Sequence, residues 1–142
     1  MTNPGEIAEN QSNCGPFDVA ELTNVESPSG GSGDLEIIWI IRVGNTGPWQ
    51  MIPGSTGLTY NPGVVSETSQ FRRCVRRAGC TNYEESNIIT ITVNDIPASP
   101  PMVNCWDAFV FNSTTCSWNN TGTQTPQPPV VNCWYAFVFN SP

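Results

Sequence analysis

An all-β chain is predicted, and three observations predict it. Short runs of β-branched and aromatic residues alternate with clusters of glycine, proline and asparagine. No 11-residue window free of glycine and proline carries an apolar stripe of helical period. The polar residues are mainly Asn, Thr and Ser, and only 12% of the chain is charged, against roughly a quarter in an ordinary soluble domain. That balance is typical of β-rich secreted surfaces.

The elements follow in order. Gly30-Gly31-Ser32-Gly33 is a loop, and Leu35-Glu36-Ile37-Ile38-Trp39-Ile40-Ile41 is a buried strand with Trp39 as its core aromatic. Gly44–Gly47 turns the chain, and Pro48-Trp49-Gln50-Met51-Ile52 is the hairpin return. Residues 53–57 and Asn61-Pro62-Gly63 are turns. Ser69–Arg77 is a strand. Asn87–Asn94 alternates, with Ile89, Ile91 and Val93 inward and Ile88, Thr90 and Thr92 outward. Strands this short, with turns this frequent, indicate a β-sandwich of immunoglobulin-like type over residues 1–96. The proline-rich stretch 95–101 is a stiff linker.

A repeat follows. Residues 100–113 (PPMVNCWDAFVFNS) and 128–141 (PPVVNCWYAFVFNS) agree at 12 of 14 positions, offset by 28 from Cys105 to Cys133. In each, an alternating apolar run precedes an Asn-Ser turn, and Thr115–Trp118 is the expected return strand. Residues 97–128 hold the linker and first repeat, and 129–142 the second. The second stops where its own TTCSW would begin, so the array is expected to continue in a longer parent protein. Isolated hairpins of this size are marginal in water and need a staple.

Cysteine is the expected staple, and the six cysteines of this lysine-free chain argue for an oxidising compartment. Several pairings are open. Cys105 can close a loop with Cys116, or Cys116 can reach Cys133 of the next unit. In the first domain Cys74–Cys80, Cys14–Cys74 and Cys14–Cys80 are all admissible. A tight turn at Ser113-Thr114 would set Cys116 opposite Phe111.

Composition excludes much chemistry. Without histidine there is no Ser–His–Asp triad, no Cys–His pair and no imidazole zinc ligand. A net charge of −7 argues against nucleic acid as a partner. The N-terminus has neither the basic nor the apolar region of a signal peptide, and no apolar run approaches membrane-spanning length.

The segment GGSGDLEIIW, followed by PWQMIPGSTGLTYNPGVVSETSQFRRCVRRAGCTNYEESNIITITV, resembles the Ig-like/PKD-like domains of large secreted surface proteins of Bacteroidota. The match covers roughly residues 30–93 in order, departing at Ser55, where alanine is usual, and at Phe71, where tyrosine is usual. The cysteine-rich units resemble arrays found beside such domains in flavobacterial adhesin-like proteins. The resemblance implies type IX secretion and cell-surface display.

Candidate sites are few. Arg72, Arg73, Arg76 and Arg77 could bind an anion or acidic glycan, yet strand parity puts Arg73 and Arg77 on one face and Arg72 and Arg76 on the other. A charged strand edge, with arginine stems packed on aromatic rings, is the favoured reading. Trp49, Trp106 and Trp134 are possible ligand-contact aromatics, with packing of small units favoured over a sugar platform. No cofactor is expected. Structural calcium has weak support, because no D-x-D-x-D-G loop is present. The expected function is a non-enzymatic structural and adhesive module of an extracellular bacterial surface protein, a rigid spacer with an interaction surface. Its expected partners are surface glycans or neighbouring copies. Alternatives are a carbohydrate-binding accessory module of a secreted hydrolase and a self-assembling fibre subunit.

Overall fold

The computed structural model describes residues 1–97 and 107–123. The chain divides into two compact units, Met1–Asn94 and Asp95–Pro142. Among the described residues every regular element is a β-strand, so the protein is all-β.

The first unit holds ten strands: β1 (Glu6–Ala8), β2 (Gln11–Cys14), β3 (Phe17–Val19), β4 (Thr23–Glu26), β5 (Leu35–Val43), β6 (Gln50–Met51), β7 (Gly63–Val65), β8 (Ser69–Arg77), β9 (Glu84–Glu85) and β10 (Ile89–Asn94). The main sheet has the order β2-β10-β8-β5-β6, with β9 also paired to β8. Its centre is the antiparallel β5/β8 pair, in register from Leu35↔Arg77 to Val43↔Ser69. Strand β2 joins β10 in parallel, while β1–β4 and β3–β7 form two antiparallel ribbons.

The core takes residues from the sheet and from both ribbons. Ile7, Val19, Leu22, Trp39, Val65, Phe71, Ile89 and Ile91 form one buried cluster. Tyr60 packs between Trp39 and Phe71, at ring-centroid distances of 5.5 and 6.0 Å. Burying a side chain such as Phe71 contributes roughly 1.5–3 kcal/mol. The indole N–H of Trp39 donates to Gly57 O at 2.9 Å, so its polar edge is satisfied inside the protein. The backbone N–H of Trp39 donates to Ser55 Oγ at 3.0 Å, and Ser55 Oγ donates to Ile52 O at 2.6 Å. The hydroxyl thus extends the β5 ladder beyond the two-residue β6.

No strand was expected in residues 1–29, and four are present. They lack an alternating apolar run because each is only three or four residues long and buries at most one of them; two side-chain amides add to the backbone pairing around them. Asn87 Oδ1 accepts from Ile7 N–H at 2.9 Å, and its Nδ2 donates to Ile7 O at 2.8 Å. Gln11 Nε2 donates to Ala20 O and its Oε1 accepts from Ala20 N–H, both at 2.9 Å. Each amide reproduces the donor–acceptor pair of a peptide unit.

In the second unit β11 (Asp107–Asn112) and β12 (Ser117–Thr123) form a hairpin. The expected tight turn and short return strand are corrected here. The connection is four residues long, Asn112 pairs with Ser117, and Trp118 rather than Cys116 lies opposite Phe111. Asn112 Oδ1 accepts from the N–H groups of Thr114 (2.8 Å) and Thr115 (3.1 Å), which widens the turn. Cys116 closes it in the left-handed region at φ 53°. The Trp118 ring meets Phe111 edge-on at 5.3 Å, and its indole N–H donates to Pro97 O at 3.4 Å. Cys105, Trp106, Cys133, Trp134 and the second repeat lie outside the described residues.

Candidate binding face

Strand β8 has two faces of different chemistry. Ser69, Phe71, Arg73 and Val75 point inward and are buried, whereas Gln70, Arg72 and Arg76 on the other parity are half-exposed. The parity split expected from the sequence is therefore the one observed.

Arg73 is fully buried. Its Nη1 donates to Asn24 Oδ1 (2.6 Å) and Leu58 O (2.9 Å), and its Nη2 to Glu26 O (3.1 Å) and Pro4 O (3.3 Å). Among the described residues no carboxylate pairs with it. Burial lowers its pKa, yet an arginine stays charged in a protein, so neutral carbonyls solvate this cation. Gly5, at φ +76°, is required beside it, because a Cβ there would collide with Glu26 O and Arg73 Nη2. Ser86 clamps the same position on β8, accepting from Arg73 N–H at 3.0 Å through Oγ and donating its own N–H to Arg73 O at 2.9 Å. Arg77 also serves the fold, donating to Gly30 O (3.0 Å) and Gly33 O (3.1 Å).

The outer face carries the candidate site. Arg72 Nη1 pairs with Glu85, and Arg76 Nε with Glu36 at 2.5 Å. The Glu36 hydrogen bond holds the Arg76 pKa above its ordinary value. Trp49, between Gly47 and β6, lies against two guanidinium groups, with its ring centroid 4.8 Å from Arg42 Cζ and 5.6 Å from Arg72 Cζ. Arg76 Cζ lies 4.4 Å from the Tyr83 ring. Arg42, on β5, faces Gln70 in register, and Gln70 faces Thr90 on β10. Arg42 Nε donates to Gln70 Oε1 at 2.6 Å, and Gln70 Nε2 donates to Thr90 Oγ1 at 3.2 Å. Sequence reasoning missed Arg42, which lies 30 residues upstream of Arg72 in the chain. Sheet register is the signal that joins them.

The cysteines follow the same parity. Cys14 and Cys116 are disulfide-bonded, whereas Cys74 and Cys80 are free thiols. The pairings Cys74–Cys80, Cys14–Cys74 and Cys14–Cys80 are therefore corrected. Cys74 shares the outer parity of Arg72 and faces Ile38 and Glu85 in register, so it cannot cross the core. Arg73 and Val75 hold the inward places. Cys80 ends a turn closed by its N–H on Arg77 O at 2.9 Å, and it is exposed. Burial pushes the Cys74 thiol up to about 11, reinforced by Glu85 and opposed by Arg72.

Elsewhere in the first unit an open groove of about 400 Å³ is lined by Ile41, Val43, Met51, Tyr60, Val64 and Phe71. Among the described residues no three cysteine or acidic side chains cluster as metal ligands, and no helix is long and apolar enough to cross a membrane.

Searches of curated proteins and of solved structures found no match to the chain. A family model described as a domain of unknown function (DUF8696) matches residues 3–95, which takes in all ten strands of the first unit. The match covers more than half of the chain, which therefore belongs to that family.

Proposed function

We propose that the chain is a non-enzymatic structural and adhesive module of an extracellular bacterial surface protein. An immunoglobulin-like sandwich serves as a rigid spacer and carries an interaction face on its outer sheet. The observation that carries this reading is the oxidised state of Cys14 and Cys116. Lasting disulfides belong to extracellular and periplasmic compartments, and a chain braced by them resists unfolding away from chaperones. The Arg73 network adds to the case by fixing the N-terminal segment, β4 and the 58 loop to one point of β8.

A carbohydrate platform on a bare tryptophan face is not favoured, because the Trp49 ring is already engaged by two guanidinium groups. The test uses protein produced in an oxidising compartment. Non-reducing peptide mapping should recover Cys14 and Cys116 only as disulfides, and a reductant should shorten the survival of the chain under protease. Fully reduced cysteines, or survival that ignores reductant, would overturn the reading.

A further inference from the structure

Of the five arginines, four are spent on the fold. Arg72 and Arg76 pair with carboxylates, and Arg73 and Arg77 donate to backbone carbonyls. Arg42 differs. Its Nε is held by Gln70, its guanidinium lies on Trp49, and neither Nη group has an acceptor among the described residues. A guanidinium fixed through Nε presents its remaining N–H groups as a planar fork, the geometry that a carboxylate accepts in bidentate fashion. Trp49 and Gln70 restrict the rotamers of Arg42 before any ligand arrives, which lowers the ordering cost of binding.

The fork does not stand alone. Arg42, Gln70 and Thr90 form one register row across β5, β8 and β10 on the outer face. Successive strands lie about 4.8 Å apart, so the row spans about 10 Å of guanidinium, amide and hydroxyl. We propose that this row binds a polysaccharide of uronic acids, with a sugar carboxylate on the Nη fork of Arg42 and sugar hydroxyls on Gln70 and Thr90. The inference builds on the interaction-module reading and names its ligand class. An acidic peptide would satisfy Arg42 but bring few hydroxyls to the amide and the threonine. The net charge of −7 repels a polyanion at long range. Affinity therefore rests on short-range contacts, and added salt relieves the repulsion while it weakens the fork.

The test is calorimetric titration of the full chain with polygalacturonate, its fully methyl-esterified counterpart, and polyglutamate. Saturable binding of polygalacturonate is expected, with affinity at least about tenfold above the other two. Arg42→Gln should lower it about tenfold or more, and Arg42→Lys, which keeps the charge without the fork, should also lower it. The urea midpoints of both variants should stay near that of the parent, which separates lost binding from lost folding. No binding of polygalacturonate, equal binding of the methyl ester, equal binding of polyglutamate, or full affinity in Arg42→Gln would each overturn the proposal. Reductant-sensitive protease resistance would stand in every one of these cases, so the spacer reading fails or holds separately.

Discussion

The two faces of β8 place guanidinium groups side by side in sequence and treat them in opposite ways. On the inner face Arg73 is fully buried, has no counterion among the described residues, and is solvated by three carbonyl oxygens and one amide oxygen. On the outer face Arg72 and Arg76 keep contact with water, pair with Glu85 and Glu36, and rest on aromatic rings. The difference shows what a guanidinium costs in each setting. In the interior the fold supplies acceptors for both Nη groups of Arg73, because an unmet buried charge is far more costly than an unmet surface one, and leaves its Nε without one among the described residues. On the outer face water shares the solvation with the paired carboxylates, and such an ion pair adds little.

The largest expected effect follows directly. Arg73→Met keeps most of the volume but leaves the carbonyls of Pro4, Glu26 and Leu58 without their donor. These hydrogen bonds are part-buried; an acceptor left unmet costs about 1–3 kcal/mol when fully buried, so for three together a loss of about 3 kcal/mol is expected in urea denaturation. Arg72→Met on the opposite face should cost within about 1 kcal/mol. Equal losses for the two variants would erase the contrast between the faces.

A smaller effect tests whether a neutral group can be as indispensable as the buried charge. Ser55→Ala removes the acceptor of the Trp39 backbone N–H and a donor to Ile52 O. One buried donor is left unmet, so a loss of about 1–3 kcal/mol is expected in the same assay.

These residues also show what was legible beforehand. Strand β8 was readable to its ends, and so was the alternation of β10, because one buried face imposes a period of two on the sequence. Strands β1 to β4 were not readable. Each is three or four residues long and buries at most one side chain, too few for a period of two to show in the sequence. The hairpin turn was misjudged because the Asn112 side chain captures two backbone donors and enlarges the loop. The candidate face was half legible. Parity separated Arg72 and Arg76 from Arg73, but Arg42 joins them through pairing of β5 with β8, and no local pattern encodes that register.

The thiol on the outer face responds to pH. Folding raises the Cys74 pKa from an ordinary 9.0 to about 11. The thiol's contribution to stability is therefore complete below about pH 9 and is lost as pH rises towards about 11. Denaturation at about pH 8 and about pH 10.5 should show the parent losing more stability than Cys74→Val over that interval. Parallel losses would mean that the outer face does not shield Cys74 from water.

The smallest effect on stability is expected at Glu85, and it links the two faces to binding. Glu85→Gln breaks an ion pair whose carboxylate is half exposed, at a cost of about 0.2–1 kcal/mol. It also leaves the Arg72 charge uncompensated on the ring that carries Arg42. Affinity for polygalacturonate should therefore rise, by less than about tenfold because a single screened charge is added beside the fork. The same substitution removes a charge that raises the Cys74 pKa, so the alkaline fall in stability should be shallower than in the parent. A variant nearly neutral for folding, tighter for a polyuronate and flatter in its pH profile would show that the Arg72 charge reaches both the fork of Arg42 and the Cys74 thiol. If affinity is unchanged while the pH profile flattens, the Arg72 charge acts on Cys74 and does not reach the fork of Arg42.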